Sequence, residues 1–286
     1  MALRKAVKIL NRRISLGEWS WRLPGSRGAD KFEGSESPFE PAARDASKLR
    51  VLSYNVHSCV GTDGLLSIRR IARVIAKANP DVVALQELDA GRRILGCDQA
   101  DAIARELEMQ FHFHPVCGEH TQSFGNAILS RYPLKKIHAW HLPALARSFL
   151  FEPRGVLWVE VDFNGRPVQV LNTHLSVWLP ELKRQMASLQ GAKGLALAES
   201  AGPSILCGDF NFTPGSVFYR SLAGSWEDVH RNLGVSGHTW ISQWPVRRLD
   251  YILKKGSFSA EPVKLARTPL ERSASDHLPV IADFSF

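Results

Sequence analysis

From Lys48 to the C-terminus, two periods of apolar and polar positions succeed one another. Short aliphatic runs bounded by turn-forming residues predict strands at Leu49–Val56, Val82–Gln86, Ala127–Ser130, Val156–Val161, Val168–Asn172, Ser204–Cys207, Tyr251–Leu253 and Leu278–Phe284. Between several of them apolar residues recur three and four apart, which predicts helices at Ser67–Ala78, Gln99–Leu107 and Glu181–Glu199. In the last of these, Leu182, Met186, Leu189, Ala192 and Ala196 supply the apolar face. Strands interspersed with helices predict an α/β domain with more than one sheet layer. Nothing in residues 48–286 reads as a second linker, so they are expected to form one domain of catalytic size.

The first 47 residues are patterned differently. Leu3, Val7, Leu10 and Ile14 recur at helical spacing among Arg4, Lys5, Lys8, Arg12 and Arg13, Trp19 and Trp21 follow, and residues 23–47 are rich in Gly, Ser, Pro and Glu, as linkers are. A basic amphipathic helix with nearby tryptophans suits an anionic membrane surface. Peripheral membrane contact through residues 1–22 is therefore an expectation, beside a helix that packs on the body or frays and an organellar targeting peptide. No apolar run approaches the ~20 residues that span a bilayer, and no secretory signal is expected.

Charge sharpens this division. The chain of 286 residues carries a net +8, and most of it comes from Arg4, Lys5, Lys8, Arg12, Arg13, Arg22 and Arg27 against Glu18 alone. The body is close to neutral, which weakens any argument for a polyanion partner from overall basicity. An apolar content of 44% and a charged content of 22% are ordinary for a chain that buries a core. Cys59, Cys97, Cys117 and Cys207 form no CxxC pair. Neither a disulfide framework nor a zinc site is expected, and a reducing compartment is favoured. The expected location is cytoplasmic, or peripheral at the inner face of a membrane. No protein partner is inferable.

Candidate chemistry sits at the strand ends. "RVLSYNVH" ends in Asn55 and His57, "DVVALQELD" in Gln86 and Glu87, "VQVLNTHLS" in Asn172 and His174, and "ILCGDFN" in Asp209 and Asn211. "RRLDYILK" begins with Asp250, and "ASDHLPV" places Asp276 and His277 before the final strand. Any one of these is an ordinary turn residue or core histidine. Together they are hard oxygen donors and imidazoles without thiolates, which suits Mg²⁺ or Mn²⁺ held by one or two carboxylates plus substrate phosphate oxygens.

The series "SYNVH", "LQELD", "NTHL", "GDFN", "LDYI" and "SDHLP", with "FGNAILSRYPL" and "EPRGVLWVEV" between, resembles the endonuclease/exonuclease/phosphatase superfamily, in its order and across residues 48–286. The resemblance implies a four-layer α-β-β-α sandwich with two facing mixed β-sheets and a site at one rim. It further implies that Glu87, assisted by Asn55, holds Mg²⁺ (Mn²⁺ as substitute), with Asp276 as contact for a second ion. Asp209 would orient and deprotonate water, Asn211 would hydrogen-bond phosphate or nucleophile, His174 would be oriented by Asp250, and His277 would complete the cage. Arg154 is a candidate phosphate contact, and His57, His238 and Trp240 are candidates for the mouth of the site.

Repair enzymes acting at abasic sites usually carry a tyrosine where His174 stands, so the chain is more similar to the deoxyribonuclease, sphingomyelinase and inositol-phosphatase branches and to small bacterial members. The implied function is a Mg²⁺-dependent phosphodiesterase acting by in-line attack of water. Endo- or exonuclease action on DNA, phospholipid or sphingomyelin-type headgroup hydrolysis at a membrane surface, and a catalytically silent binding module on the same fold stand as alternatives.

Overall fold

The computed structural model describes residues 44–91, 97–119, 122–145, 152–191, 194–264 and 266–286. The chain divides into units 1–39 and 40–286, and the described residues belong to the second. The expected basic N-terminal helix, the expected membrane contact of residues 1–22 and the linker up to residue 43 lie outside the described residues.

Two mixed six-stranded sheets form the domain. The first joins β1 (Leu49–Asn55), β2 (Val82–Ala90), β3 (Gln110–Glu119), β4 (Gln122–Ser130), β11 (Ser259–Val263) and β12 (Val280–Ser285) in the order β11-β12-β1-β2-β4-β3. The second joins β5 (Leu134–His141), β6 (Gly155–Phe163), β7 (Arg166–His174), β8 (Ser204–Asp209), β9 (Glu227–Asp228) and β10 (Asp250–Lys255) in the order β5-β6-β7-β8-β10-β9. In each sheet one central pair is parallel, β1 with β2 and β7 with β8.

Side-chain alternation explains why the sheets face each other. Leu49 and Val51 of β1, Val82 and Ala84 of β2, and Ala282 and Phe284 of β12 meet Val168 and Val170 of β7, Ile205 and Cys207 of β8, and Ile252 of β10 in one apolar layer. The intervening residues of the same strands point outward. Leu52, Tyr54, Val83 and Leu85 pack under α1 (Ile68–Ala78), α2 (Gln99–Glu106) and α6 (Pro269–Ala274). On the other side Leu171, Leu206, Tyr251 and Leu253 pack under α3 (Leu179–Gln190), α4 (Leu195–Ala201) and α5 (Val217–Ala223). The result is the expected α-β-β-α sandwich. Central strands covered on both faces read as continuous apolar runs, and for that reason they were legible in the sequence.

The strands that the sequence pattern leaves out sit at the sheet edges or are short. β3 contains Pro115 at a register shift, β11 contains Pro262, and β5 is largely exposed. Proline and exposure are tolerated at an edge because one side of the strand lacks a partner. The single helix expected at Glu181–Glu199 is two helices, α3 and α4. The chain leaves helical geometry at Gly191, with ψ 170°, and at Gly194 it passes so close to the Leu189 carbonyl oxygen that a Cβ would lie 2.1 Å from it, which only glycine accommodates. α5 and α6 are further additions, each too short for its periodicity to register.

Candidate active site

Period-two alternation carries the inward faces of both sheets to one rim and changes their chemistry on the way. After Val51, β1 turns inward Ser53 and then Asn55; after Val170, β7 turns inward Asn172 and then His174; after Cys207, β8 delivers Asp209. Register fixes the last of these laterally: His174 lies opposite Asp209 across β7–β8, and Asp209 opposite Asp250 across β8–β10. Glycine permits the close approach. Gly208 has φ +151°, and a Cβ there would lie 2.0 Å from the Thr173 carbonyl oxygen.

Glu87 reaches the same rim by breaking the alternation. β2 slips register against β4 between Leu85 and Leu88, and Glu87 has φ +60°. Leu85 and Leu88 both pack into the helix-side core, so Gln86 and Glu87 are left together on the other side. A β-bulge re-aims a side chain in this way. The opposite sheet secures the bulge: Asn172 Nδ2 donates to the Leu85 and Ala127 carbonyls, both at 2.8 Å, and Asn172 Oδ1 accepts from Gln86 Nε2 at 2.8 Å. Asn172 and Gln86 are fully buried and hold the two sheets to each other. In the sequence they are only polar residues at strand ends.

The functional side chains meet at one carboxylate oxygen. Asp209 Oδ2 accepts from Asn55 Nδ2 at 3.0 Å and faces His174 Nε2 at 3.4 Å and His277 Nε2 at 3.6 Å. Asn55 Nδ2 also lies 3.3 Å from Glu87 Oε1, so one amide nitrogen ties both carboxylates. Asn211, in a left-handed turn at φ +52°, donates its backbone N–H to Asp209 Oδ1 at 3.0 Å and its amide to Leu175 O at 2.9 Å and His174 Nε2 at 3.1 Å. The other ring nitrogen of His174, Nδ1, is buried without a partner.

One sequence expectation is corrected here. Asp250 does not orient His174. Its Oδ2 accepts instead from His277 Nδ1 at 2.9 Å. The reason is positional: Asp250 is separated from His174 by the width of β8, whereas His277 crosses over from the other sheet. Ser275 places it, its hydroxyl donating to Asn55 O at 2.7 Å and accepting from His277 N at 3.2 Å.

Burial divides the two imidazoles electrostatically. His174 is held well below the usual histidine range by burial and then by the nearby Arg154 and His277 charges, so it is neutral. For His277 burial acts in the same direction, but Asp250 and Asp209 outweigh it, and its pKa is raised well above normal. Burial pushes the Asp209 carboxyl up to about 7; His277 pulls it down while Asp250 adds to the rise. The site therefore places a neutral imidazole and an imidazolium 3.4 and 3.6 Å from a carboxyl whose pKa is about 7.

The remaining candidates separate. Arg154 is buried at 9% exposure with its Nε unpartnered and its Nη1 3.2 Å from Glu152. Asp276 is half-exposed and faces His57 Nδ1 at 3.9 Å, outside the Asp209 cluster. Trp240 is half-buried and bridges His277 through the backbone. His238 lines a different cavity of about 260 Å³ that also contains His230.

The donor set fits a hard divalent cation. Asp209, Asp250 and His277 present ligand atoms within 4.8 Å of one another, and Asp250 Oδ1 is buried without a partner. Glu87 offers a further half-buried carboxylate on the other side of Asn55. Asn55 turns its amide nitrogen, not its oxygen, toward the carboxylates; an end-for-end rotation of the amide presents the oxygen.

A family model described as endonuclease/exonuclease/phosphatase matches residues 52–277. Among solved structures, an endonuclease/exonuclease/phosphatase from Beutenbergia cavernae DSM 12333 is similar with a TM-score of 0.65 and 25% identity, over 84% of this chain and 72% of that one. The catalytic domain of human Nocturnin with a bound sulfate anion has a TM-score of 0.63 and 24% identity, over 84% of this chain and 95% of that one. A third, an endonuclease/exonuclease/phosphatase from Bacteroides vulgatus, has a TM-score of 0.63 and 16% identity, over 83% of this chain and 98% of that one. The latter two likenesses concern the fold alone. No curated protein matches the sequence. Among the described residues, no helix is long and apolar enough to cross a membrane.

Proposed function

The chain belongs to the endonuclease/exonuclease/phosphatase family, and on that premise we propose that it is a metal-dependent phosphodiesterase in which water attacks phosphorus in line with the leaving oxygen. The observation that carries this reading is the meeting of Asn55, His174 and His277 on Asp209 Oδ2, with Glu87 tied to the same amide. Rigid strand ends hold these groups before substrate arrives, which is what a reaction dominated by positioning and charge stabilisation requires.

In this reading Asp209 takes the proton of the attacking water, and Asn211 keeps the carboxylate oriented through its backbone N–H. The new P–O bond forms as the ester P–O bond opens. His277, doubly protonated and buttressed by Asp250, neutralises charge on the phosphoryl oxygens and returns a proton to the leaving alkoxide. Neutral His174 lines the phosphate position beside Asp209, and Arg154 supplies positive charge near it. A bound Mg²⁺, or Mn²⁺ in its place, would supply Lewis-acid charge to a phosphate oxygen. Glu87 would hold it, with Asn55 joining through its oxygen, and the Asp209–Asp250–His277 group would offer a second position only with the His277 Nε2 proton released.

The test is turnover of bis-p-nitrophenyl phosphate with Mg²⁺, with Mn²⁺ and with EDTA. Wild type is expected to turn over with metal and stop in EDTA, while Glu87→Ala and Asp209→Asn fold normally and fall by about 10²-fold or more. Equal turnover in EDTA removes the metal, and no turnover under any condition favours a binding module on this fold. A panel of plasmid DNA, abasic oligonucleotide, phospholipid vesicles and inositol phosphates then sorts nuclease from headgroup hydrolase.

A further inference from the structure

The loops that leave the catalytic rim are more apolar than a surface requires. They follow β1, β7 and β8 or precede β10, so all of them surround the mouth of the site. Between the starts of α3 and α5 they enclose a groove of about 870 Å³. Asn211, which bonds Asp209 and His174, is part of its wall, so the groove abuts the catalytic centre. Leu179, Phe212, Val217, Phe218 and Leu249 are among the other lining residues, with the exposed cations Lys183 and Arg247.

The lip continues the same character outward. Val177 is 63% exposed, Leu179 65% and Val217 62%, and across the mouth Leu65, Val246 and Trp244 are also exposed, Trp244 at 78%. Gln243 Nε2 bonds Thr62 Oγ1 at 3.1 Å, which ties the loops carrying Trp244 and Leu65 to each other. Exposed apolar side chains gathered around a cleft mark a binding surface, whereas scattered ones mean nothing.

Resting on the phosphodiesterase reading, we infer that this groove receives the alkyl chain of an amphiphilic phosphodiester, so that the substrate class is a phospholipid-like ester presented at a lipid surface. The groove lies within the 300–1,000 Å³ typical of ligand sites and is mainly hydrocarbon-lined, as such sites are. A nucleobase fits it less well. The Ser216 oxygen already accepts from Tyr219 N at 3.0 Å in capping α5, and the Asn211 amide N–H groups are spent on Leu175 and His174, which leaves few side-chain groups to read a base edge. A base edge would be buried with its donors and acceptors poorly matched, which is costly. Lys183 and Arg247 complement the negative charge of the ester as it passes to Asp209.

The experiment is a series of p-nitrophenyl alkyl phosphates from butyl to octyl, with kcat/KM measured for each in wild type, Leu179→Asp, Val217→Asp and the distant surface control Leu197→Asp. Each buried methylene is worth up to about fourfold, so a rise of roughly tenfold or more across the series is expected in wild type and in the control. The slope is expected to flatten in Leu179→Asp and Val217→Asp, both solvent-exposed positions where the fold tolerates a charge. A flat wild-type series, an unchanged slope in both groove variants, or preference for a dinucleotide diester over the octyl ester overturns the inference. Calorimetric binding of the matching alkyl methylphosphonates in EDTA separates the two levels of the argument. A chain-length slope in binding without any hydrolysis sinks the phosphodiesterase and leaves the groove standing; no slope in binding sinks the groove.

Discussion

Replacing Asn172 with leucine changes the side chain's size little and deletes every polar contact it makes. The Leu85 and Ala127 carbonyls each lose a donor at 2.8 Å in a fully buried setting, and Gln86 Nε2 loses one acceptor while keeping Ser53 Oγ and the Ala84 carbonyl. Stranding a buried backbone acceptor costs about 1–3 kcal/mol, so two of them place the loss at about 3–4 kcal/mol. Urea unfolding followed by tryptophan fluorescence reads this directly. At an m-value of about 3 kcal/mol/M the midpoint should fall by about 1 M. A second readout follows from position. Asn172 grips β2 beside the register slip that aims Glu87, so kcat should fall and the metal concentration for half activity should rise, although Asn172 makes no contact with Asp209. A loss below about 1 kcal/mol would refute the reasoning, because it would mean that the carbonyls find other donors and that the two sheets do not depend on this tie.

Asp250→Asn and His277→Ala should each reduce turnover by about 10²-fold, and the double variant little further, because the two act as one unit; coupling of Asp250 to His174 instead would reverse the assignment. Asp283→Ala removes the carboxylate paired with the buried Arg50 guanidinium, which is 5% exposed, bonds both Asp283 oxygens at 2.7 and 2.8 Å and keeps the Ala78 carbonyl at 3.1 Å, and should cost about 3–5 kcal/mol in a denaturant titration. His230 is buried neutral with its Nε2 on the Ile281 carbonyl at 2.9 Å, and burial lowers its pKa to about 4. The unfolded chain takes up that proton first as pH falls, so stability is full above about pH 6.5 and declines toward pH 4 by on the order of 3 kcal/mol; His230→Leu should remove that part of the slope, and an unchanged profile would refute it. For the N-terminal segment, the expectation of membrane contact predicts that the intact chain co-sediments with anionic vesicles more than a chain beginning at Lys48, and equal sedimentation removes it.

Much of this protein was written in short-range order. Alternation in "RVLSYN", "VQVLNTH" and "ILCGD" states which residues share the inward face and that each apolar run ends in a polar group. Those three strands, with Asp250 and His277, carry the groups that the fold gathers around Asp209. Other features have no local signature. Glu87 faces the cluster only because β2 slips against β4, which is a property of the pair and not of either strand. Asp250 serves His277 and not His174 because the partner arrives from the opposite sheet, and Ser275 meets Asn55 across 220 residues of chain. The edge strands β3, β5 and β11 were missed because water, proline and exposed polar groups are acceptable where one side of a ladder is open. Periodicity encodes the face a side chain presents, since that depends on its neighbours in sequence. Its partner on that face depends on which distant strand burial brings alongside, and only the closed sandwich decides that.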